Sequence, residues 1–309
     1  MKEDNILYKK RRADELVFNA WAAFEEGMIP QALTMARQAI VLWKNCEDAY
    51  NIMAMIALNK KEFSEAARFF ETGRKKAEQT LKKDKIEKKY YWSNPRANVL
   101  FKALYGIGLV HYLQGNLKEA EKEFSNLLTL DLNDRMRACG LLGEIYHKLG
   151  NFSGAKECYL NTCDISGSLY NYALLLFKTK ELDNAVLHLR KGFFTNIYIP
   201  PILLGAEILK KNCCYDNSSA EIRYAEEYVE RCRSLWTDNK DSIKFLISVW
   251  EDHKVMEELE EFIKIKREFG REGGIKKFEI INRINEMKLP SRLFKNNPEI
   301  SSRVRSKII

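Results

Sequence analysis

Gly108-Leu109-Val110-His111-Tyr112-Leu113-Gln114-Gly115-Asn116-Leu117-Lys118-Glu119-Ala120 has the pattern of a helical hairpin. An apolar run at helical spacing ends at Gly115, and a second amphipathic run begins two residues later. A glycine at that point accommodates the left-handed backbone that closes a helix. The segment therefore predicts two helices joined by a tight turn. Small residues, Gly108 before the turn and Ala120 after it, stand where the two helices would cross closely.

The same spacing recurs outward in both directions, at a period of about 34 residues. Units beginning at Ala13, Glu47, Phe101 and Met136 carry a small eighth residue (Ala20, Ala54, Gly108, Gly143) and alanine at the twentieth (Ala32, Ala66, Ala120, Ala155). The twenty-fourth is Ala36, Phe70, Phe124 or Tyr159, a group placed to insert between neighbouring units. Glycine at the fifteenth occurs as Gly27, Gly115 and Gly150. A fifth unit reads from Ser166, with Ala173 and Ala185 in the small positions, and a sixth from about Tyr198, with Gly205. Its linker, Asn212 to Ser219, is long, and its second helix should bury Ala225, Tyr228, Val229 and Cys232. A lone hairpin cannot bury its apolar stripe, whereas stacked hairpins share a continuous core. The expected class is all-α, a right-handed α-solenoid of helix-turn-helix repeats with C-terminal capping helices.

The organisation expected is a basic arm at 1–12, a solenoid of about six repeats at 13–240 interrupted at 79–98, amphipathic helices at 241–290 and a flexible basic tail at 291–309. The interruption reads as an extended helix followed by a turn at Pro95. The C-terminal helices could cap the last repeat, fold back into the inner face, or dock on another molecule.

Composition agrees with a globular chain: of 309 residues 46% are hydrophobic and 30% charged. The net charge of +8 is concentrated. Residues 1–12 carry five Lys/Arg against two acids, residues 74–89 eight against three, and residues 288–309 six against one. Such runs either keep a surface solvated or meet an acidic partner. No apolar run is long enough for a spanning helix. With seven cysteines, an odd count, and no hydrophobic leader, the sequence predicts reduced thiols and a cytoplasmic location. No CxxC or HExxH pattern occurs, so no metal and no cofactor are expected.

The alanine–glycine grid resembles the tetratricopeptide repeat (TPR), above all in Gly108–Tyr112 with Gly115–Ala120, and in Gly143-Glu144-Ile145-Tyr146 with Gly150-Asn151-Phe152 and Ala155. A narrower likeness, over about residues 13–245, is to TPR proteins related to suppressor of tumorigenicity seven. It rests on Tyr91-Trp92-Ser93-Asn94-Pro95-Arg96, Leu130-Asp131-Leu132-Asn133-Asp134, Tyr172–Phe177, Ile199–Gly205 and Tyr224-Ala225 to Trp236. The resemblance implies a scaffold and supplies no catalytic residues. It also implies that the first helix of each repeat lines a concave face, through repeat positions 2, 5, 9 and 12. The expected groove residues are Trp21, Phe24, Met55, Tyr105, Leu109, Tyr112, Glu144, His147, Tyr170, Leu174 and Phe177. This face is largely apolar and aromatic, suited to a peptide or partner helix. Neighbouring helices could equally bury any one of these side chains. Of the cations and amides with which some TPR domains clamp a peptide carboxylate, only Lys102 is matched, so that mode is not expected.

The expected function is a non-catalytic protein-protein interaction scaffold. The alternative is nucleic-acid or anionic-surface binding through the tails and the insertion lysines Lys82, Lys83, Lys85, Lys88 and Lys89. A third reading, an enzyme using Glu144, His147 and Tyr105 on the inner face, has no recognisable motif behind it. No phosphate loop ending in Lys-Ser/Thr and no Gly-x-Ser-x-Gly elbow occurs.

Overall fold

A computed structural model describes residues 2–205, 219–271 and 273–308. Within them the chain is all helical, without strands. The α-helices are α1 (Lys2–Glu25), α2 (Ile29–Leu42), α3 (Glu47–Asn59), α4 (Phe63–Lys83), α5 (Asn98–Leu113), α6 (Leu117–Leu130), α7 (Ala138–Lys148) and α8 (Phe152–Asn161). They continue as α9 (Ser166–Lys178), α10 (Leu182–Phe193), α11 (Ile199–Leu204), α12 (Ser219–Thr237), α13 (Lys240–Trp250), α14 (His253–Arg271), α15 (Ile275–Met287) and α16 (Pro290–Ile308). They form two compact units, residues 1–145 and 146–309.

The repeat turns share one closure. The residue after the left-handed position donates its N–H five residues back: Met28 to Ala23, Glu62 to Ala57, Asn116 to His111, Asn151 to Tyr146, Glu181 to Leu176, at 2.8–2.9 Å. Gly27, Gly115 and Gly150 supply the positive φ in three turns; Lys61 (φ 62°) and Lys180 (φ 65°) adopt it in the other two. This is the Schellman closure, and it fixes the geometry of each hairpin without demanding glycine.

In the first unit α1 packs on α2, α3 on α4 and α5 on α6, and α3 and α5 each pack on the preceding pair. Ala20, Ala32, Ala54, Ala66 and Ala120 have no solvent exposure. Phe70, from α4, presses across to the next hairpin: a Cβ on Gly106 would stand 2.2 Å from its ring. Phe124 leaves the same kind of gap at Gly108, at 2.9 Å. These glycines are the space into which the aromatic rings fit.

After α4 the insertion makes two short 3₁₀ turns, Lys88–Ser93 and Pro95–Ala97. Tyr91 is buried, and Arg135 donates to the carbonyls of Tyr91 (3.3 Å) and Trp92 (2.8 Å), holding the insertion against the loop after α6. Residues 2–12, expected as an arm, are the first turns of α1, with side chains 5–12 exposed.

In the second unit, residues 146–309, α9 and α10 form the fifth hairpin. Its small residues Ala173 and Ala185 are fully buried, as are Ala225, Tyr228 and Cys232 of α12, with Val229 almost so. Residues 212–218 of the expected linker, with Cys213 and Cys214, lie outside the described residues.

The C-terminal segment departs from expectation. Residues 291–309 were expected to be a flexible tail, but helix α16 runs Pro290–Ile308 and buries Leu293, Ile300 and Val304. It packs on α10 and α13. Pro290 starts this helix, in the first-turn position proline favours, as well as following the end of α15. The apolar spacing 293, 300, 304 was present in the sequence, but the basic charge between those positions masked it.

Candidate peptide groove

The first unit carries a groove of about 830 Å³. One wall is a single stripe of α1, Asp14, Phe18, Trp21 and Glu25, whose spacing places them on one helix face. The facing side comes from α3, with Glu47, Asp48, Asn51 and Met55, and from α5, with Lys102 and Tyr105. Phe18 is 75% exposed, a large aromatic with no cover. Trp21 is half-buried, and its indole N–H donates to Asp48 at 3.0 Å. Lys102 lies over the Trp21 ring at 4.4 Å and donates to the same carboxylate at 2.9 Å.

The charged residues follow a register. Asp14, Asp48 and Lys102 are each the second residue of a repeat, so three successive hairpins bring them to one place. Asp48 and Lys102 pair. Partial withdrawal from water raises the Asp14 carboxyl above its usual range, with nearby Asp48 adding to the rise and Lys10 opposing it. Cys46, at the groove floor, is buried, and desolvation followed by the Asp14 charge pushes its thiol up to about 12. It is an inert packing group.

Of the expected groove residues, the structure brings Trp21, Met55 and Tyr105 to this groove. Phe24 is half-buried against the apolar cluster of α1, α2 and α3, and Leu109 against the cluster that α3 and α4 form with α5. Tyr112 and Glu144 are buried, the Tyr112 hydroxyl donating to Glu144 at 2.8 Å. The pair is part of the interior and not of an open surface. Glu144 is therefore not poised as an exposed acid, and Tyr105 packs edge-on to Phe124 with centroids 5.7 Å apart.

The expected groove residues of the second unit are covered. His147 is buried beside Tyr159, hydroxyl to Nδ1 3.4 Å, and edge-on to Phe152. Its desolvation, with Lys178 adding, lowers its pKa to about 3, which makes it a neutral core group and not a base. Tyr170 and Leu174 have no exposure. Tyr170 donates to the Asn196 carbonyl at 2.8 Å and lies against Tyr228 of α12. Phe177 stacks face to face on Phe245 of α13, centroids 4.4 Å apart and planes 3° from parallel. Helices α12 and α13 thus occupy the face that the repeat pattern alone leaves open.

Asp14, Phe18 and Asp48 were missed as groove residues. The signal was available: position 2 faces inward by the same register as 5, 9 and 12, and Phe18 adjoins position 5. The insertion lysines Lys82, Lys83, Lys85, Lys88 and Lys89 are all exposed, next to exposed Tyr90 and Trp92. Among the described residues no group of three or more His, Cys, Asp or Glu is arranged to hold a metal ion, and no helix is long and apolar enough to cross a membrane.

Short-linked helix pairs with small residues at each crossing define a helical repeat protein. The family model described as tetratricopeptide repeat matches residues 137–165. The paired helices and the absence of strands among the described residues are consistent with a solenoid of such repeats. Among solved structures it is similar to one from a functional characterization of pilF of Pseudomonas aeruginosa, at 17% identity and a TM-score of 0.51. That likeness covers 76% of this chain and 96% of the other, and at this identity it concerns the fold alone. No curated protein matches the chain. The narrower resemblance to relatives of suppressor of tumorigenicity seven finds no support in these matches.

Proposed function

We propose that the chain is a non-catalytic protein-interaction scaffold whose working surface is the groove of residues 1–145, which holds an apolar peptide segment of another protein. TPR repeats in general serve protein–protein interaction. The observation that carries the reading is an asymmetry between equivalent positions. Trp21, Met55 and Tyr105 line an open groove and are half-buried, whereas Tyr170 and Leu174 in the second unit are covered by the chain itself. Aromatic side chains in a partly desolvated recess are the usual anchors of binding energy.

Selection of short capped peptides from a display library against the full chain tests this. Wild type should enrich a related set of peptides, and Trp21→Ala or Met55→Ala should each weaken their binding by about tenfold or more. Peptides that bind the Trp21→Ala protein as tightly as wild type would place binding elsewhere and overturn the reading.

A second reading keeps the basic insertion as an anionic-surface site. Five exposed lysines beside exposed Tyr90 and Trp92 favour it, because charge and stacking together suit single-stranded nucleic acid. The C-terminal helix adds less than its composition suggests, since Arg292 and Arg303 are in ion pairs. Affinity for an oligonucleotide that falls steeply with salt, and is lost when Lys82, Lys83, Lys88 and Lys89 become Glu, would support this reading. Absence of salt-dependent binding would remove it.

A further inference from the structure

Resting on the groove reading above, we infer that the groove selects a segment in which an apolar or aromatic anchor is flanked by Lys or Arg. The charges that line the recess are not balanced. Arg96 pairs with Asp84 and Lys102 with Asp48, so these four cancel. That leaves Asp14, Glu25 and Glu47 against Lys10, an excess of two acids around an apolar floor. Among the described residues Asp14, Glu25 and Glu47 make no ion pair within 4.0 Å.

The placement along α1 matters as much as the count. Asp14, Phe18, Trp21 and Glu25 follow one another on one face, so the two aromatics are bracketed by a carboxylate at each end. Across the groove Glu47 and Asp48 stand at the start of α3. An apolar side chain resting on Phe18 and Trp21 therefore has acids within reach on both sides along the helix. A cation arriving beside Asp14 relieves its repulsion with Asp48, the same repulsion that helps hold the Asp14 carboxyl high.

The arrangement also disfavours the opposite ligand. The cation best placed to receive a peptide carboxylate is Lys102, and its ammonium is already held by Asp48 and by the Trp21 ring. An acidic segment or a free C-terminus would displace those contacts and face the unpaired acids, and juxtaposing like charges is an effective means of rejection.

Fluorescence anisotropy with the full-length protein and labelled synthetic peptides tests the inference. The probes share one Leu-Phe anchor. One is capped and flanked by Lys and Arg, one is capped and flanked by Glu, and one has a free C-terminal carboxylate. The basic probe should bind about tenfold tighter than the other two at low salt, with the margin shrinking as salt rises. Asp14→Asn combined with Glu25→Gln should remove most of that margin while leaving the affinity for the anchor, and circular dichroism should be unchanged because both side chains are solvent-open. Equal binding of all three probes, lost in Trp21→Ala, would keep the groove and overturn the charge inference. A preference that survives in the double variant would also overturn it. No binding of any probe would count against both the groove and its charge preference.

Discussion

Arg190 on α10 is completely buried and donates through one terminal nitrogen to both carboxylate oxygens of Glu258 on α14, at 2.8 Å each. Its other terminal nitrogen donates to the Leu293 carbonyl at 2.7 Å and to the Asn297 side chain at 3.2 Å, both on α16. One guanidinium therefore ties the fifth repeat to two C-terminal helices. A buried pair of this kind gains little over an apolar replacement, but breaking it strands the survivor.

Arg190→Met should cost about 3–5 kcal/mol, because the buried Glu258 loses its counter-charge and keeps only the Asn296 amide. The double change Arg190→Met with Glu258→Leu should recover part of that loss. Urea unfolding of the three proteins measures it. A single variant as stable as wild type would show that the pair does not hold these helices.

The α16 helix should also respond to acid. Burial alone would raise the Asp252 carboxyl, but the hydrogen bonds and charge of Arg303, at 2.7 and 2.9 Å, outweigh it and hold the carboxyl below its usual 3.8. A depressed carboxyl contributes stability that is fully present above the unfolded value and is lost as pH falls through the folded one. Proteolysis within residues 290–308 should therefore rise below about pH 4, and Arg303→Ala should raise it at neutral pH, at a cost of about 2 kcal/mol. Unchanged cleavage in Arg303→Ala would contradict this.

His147 gives the second unit a separate acid sensitivity that sets in at higher pH. Unfolded histidine titrates near 6.5, while burial, with Lys178 adding, holds His147 at about 3. Below 6.5 the unfolded chain binds a proton that the fold refuses, so stability is full above pH 6.5 and declines as pH drops toward 3. The melting temperature should fall over that interval in wild type and fall less in His147→Leu. Parallel pH profiles would show that His147 is not withdrawn from water.

Gly106 and Phe70 offer a packing test. Alanine ordinarily stabilises a helix interior by about 1 kcal/mol relative to glycine. At Gly106 the added methyl would meet the buried Phe70 ring at 2.2 Å, so Gly106→Ala should instead destabilise by roughly 1–3 kcal/mol. Adding Phe70→Leu should return part of the loss. Chemical denaturation of the two variants decides the sign, and a stabilised Gly106→Ala would refute the interlock.

The hairpins were legible because their constraints are local. A small residue at each crossing and a left-handed residue at each turn recur at fixed spacing, and Ala32, Ala66, Ala120 and Ala155 are all at zero exposure. The turn rule was only partly legible, since Lys61 and Lys180 adopt the conformation that the pattern reserves for glycine. The groove was half legible. Trp21, Met55 and Tyr105 followed from the register, but the same register also nominated Tyr170 and Leu174. Nothing in the repeat spacing states that α12 and α13 cover them, because that depends on contacts such as Phe177 with Phe245, distant in sequence. Helix α16 was obscured because its apolar residues are spaced among charges that find partners outside it, Arg303 on Asp252 in the turn before α14 and Arg292 on Glu261 of α14.

Fluorine NMR of the 5-fluorotryptophan-labelled full chain, titrated with the Lys/Arg-flanked Leu-Phe peptide, reports on the groove one tryptophan at a time. The Trp21 resonance should shift saturably while that of Trp236, buried in the second unit, stays fixed. A titration in which the peptide binds but Trp21 does not move, or in which Trp92 moves instead, would contradict the groove reading.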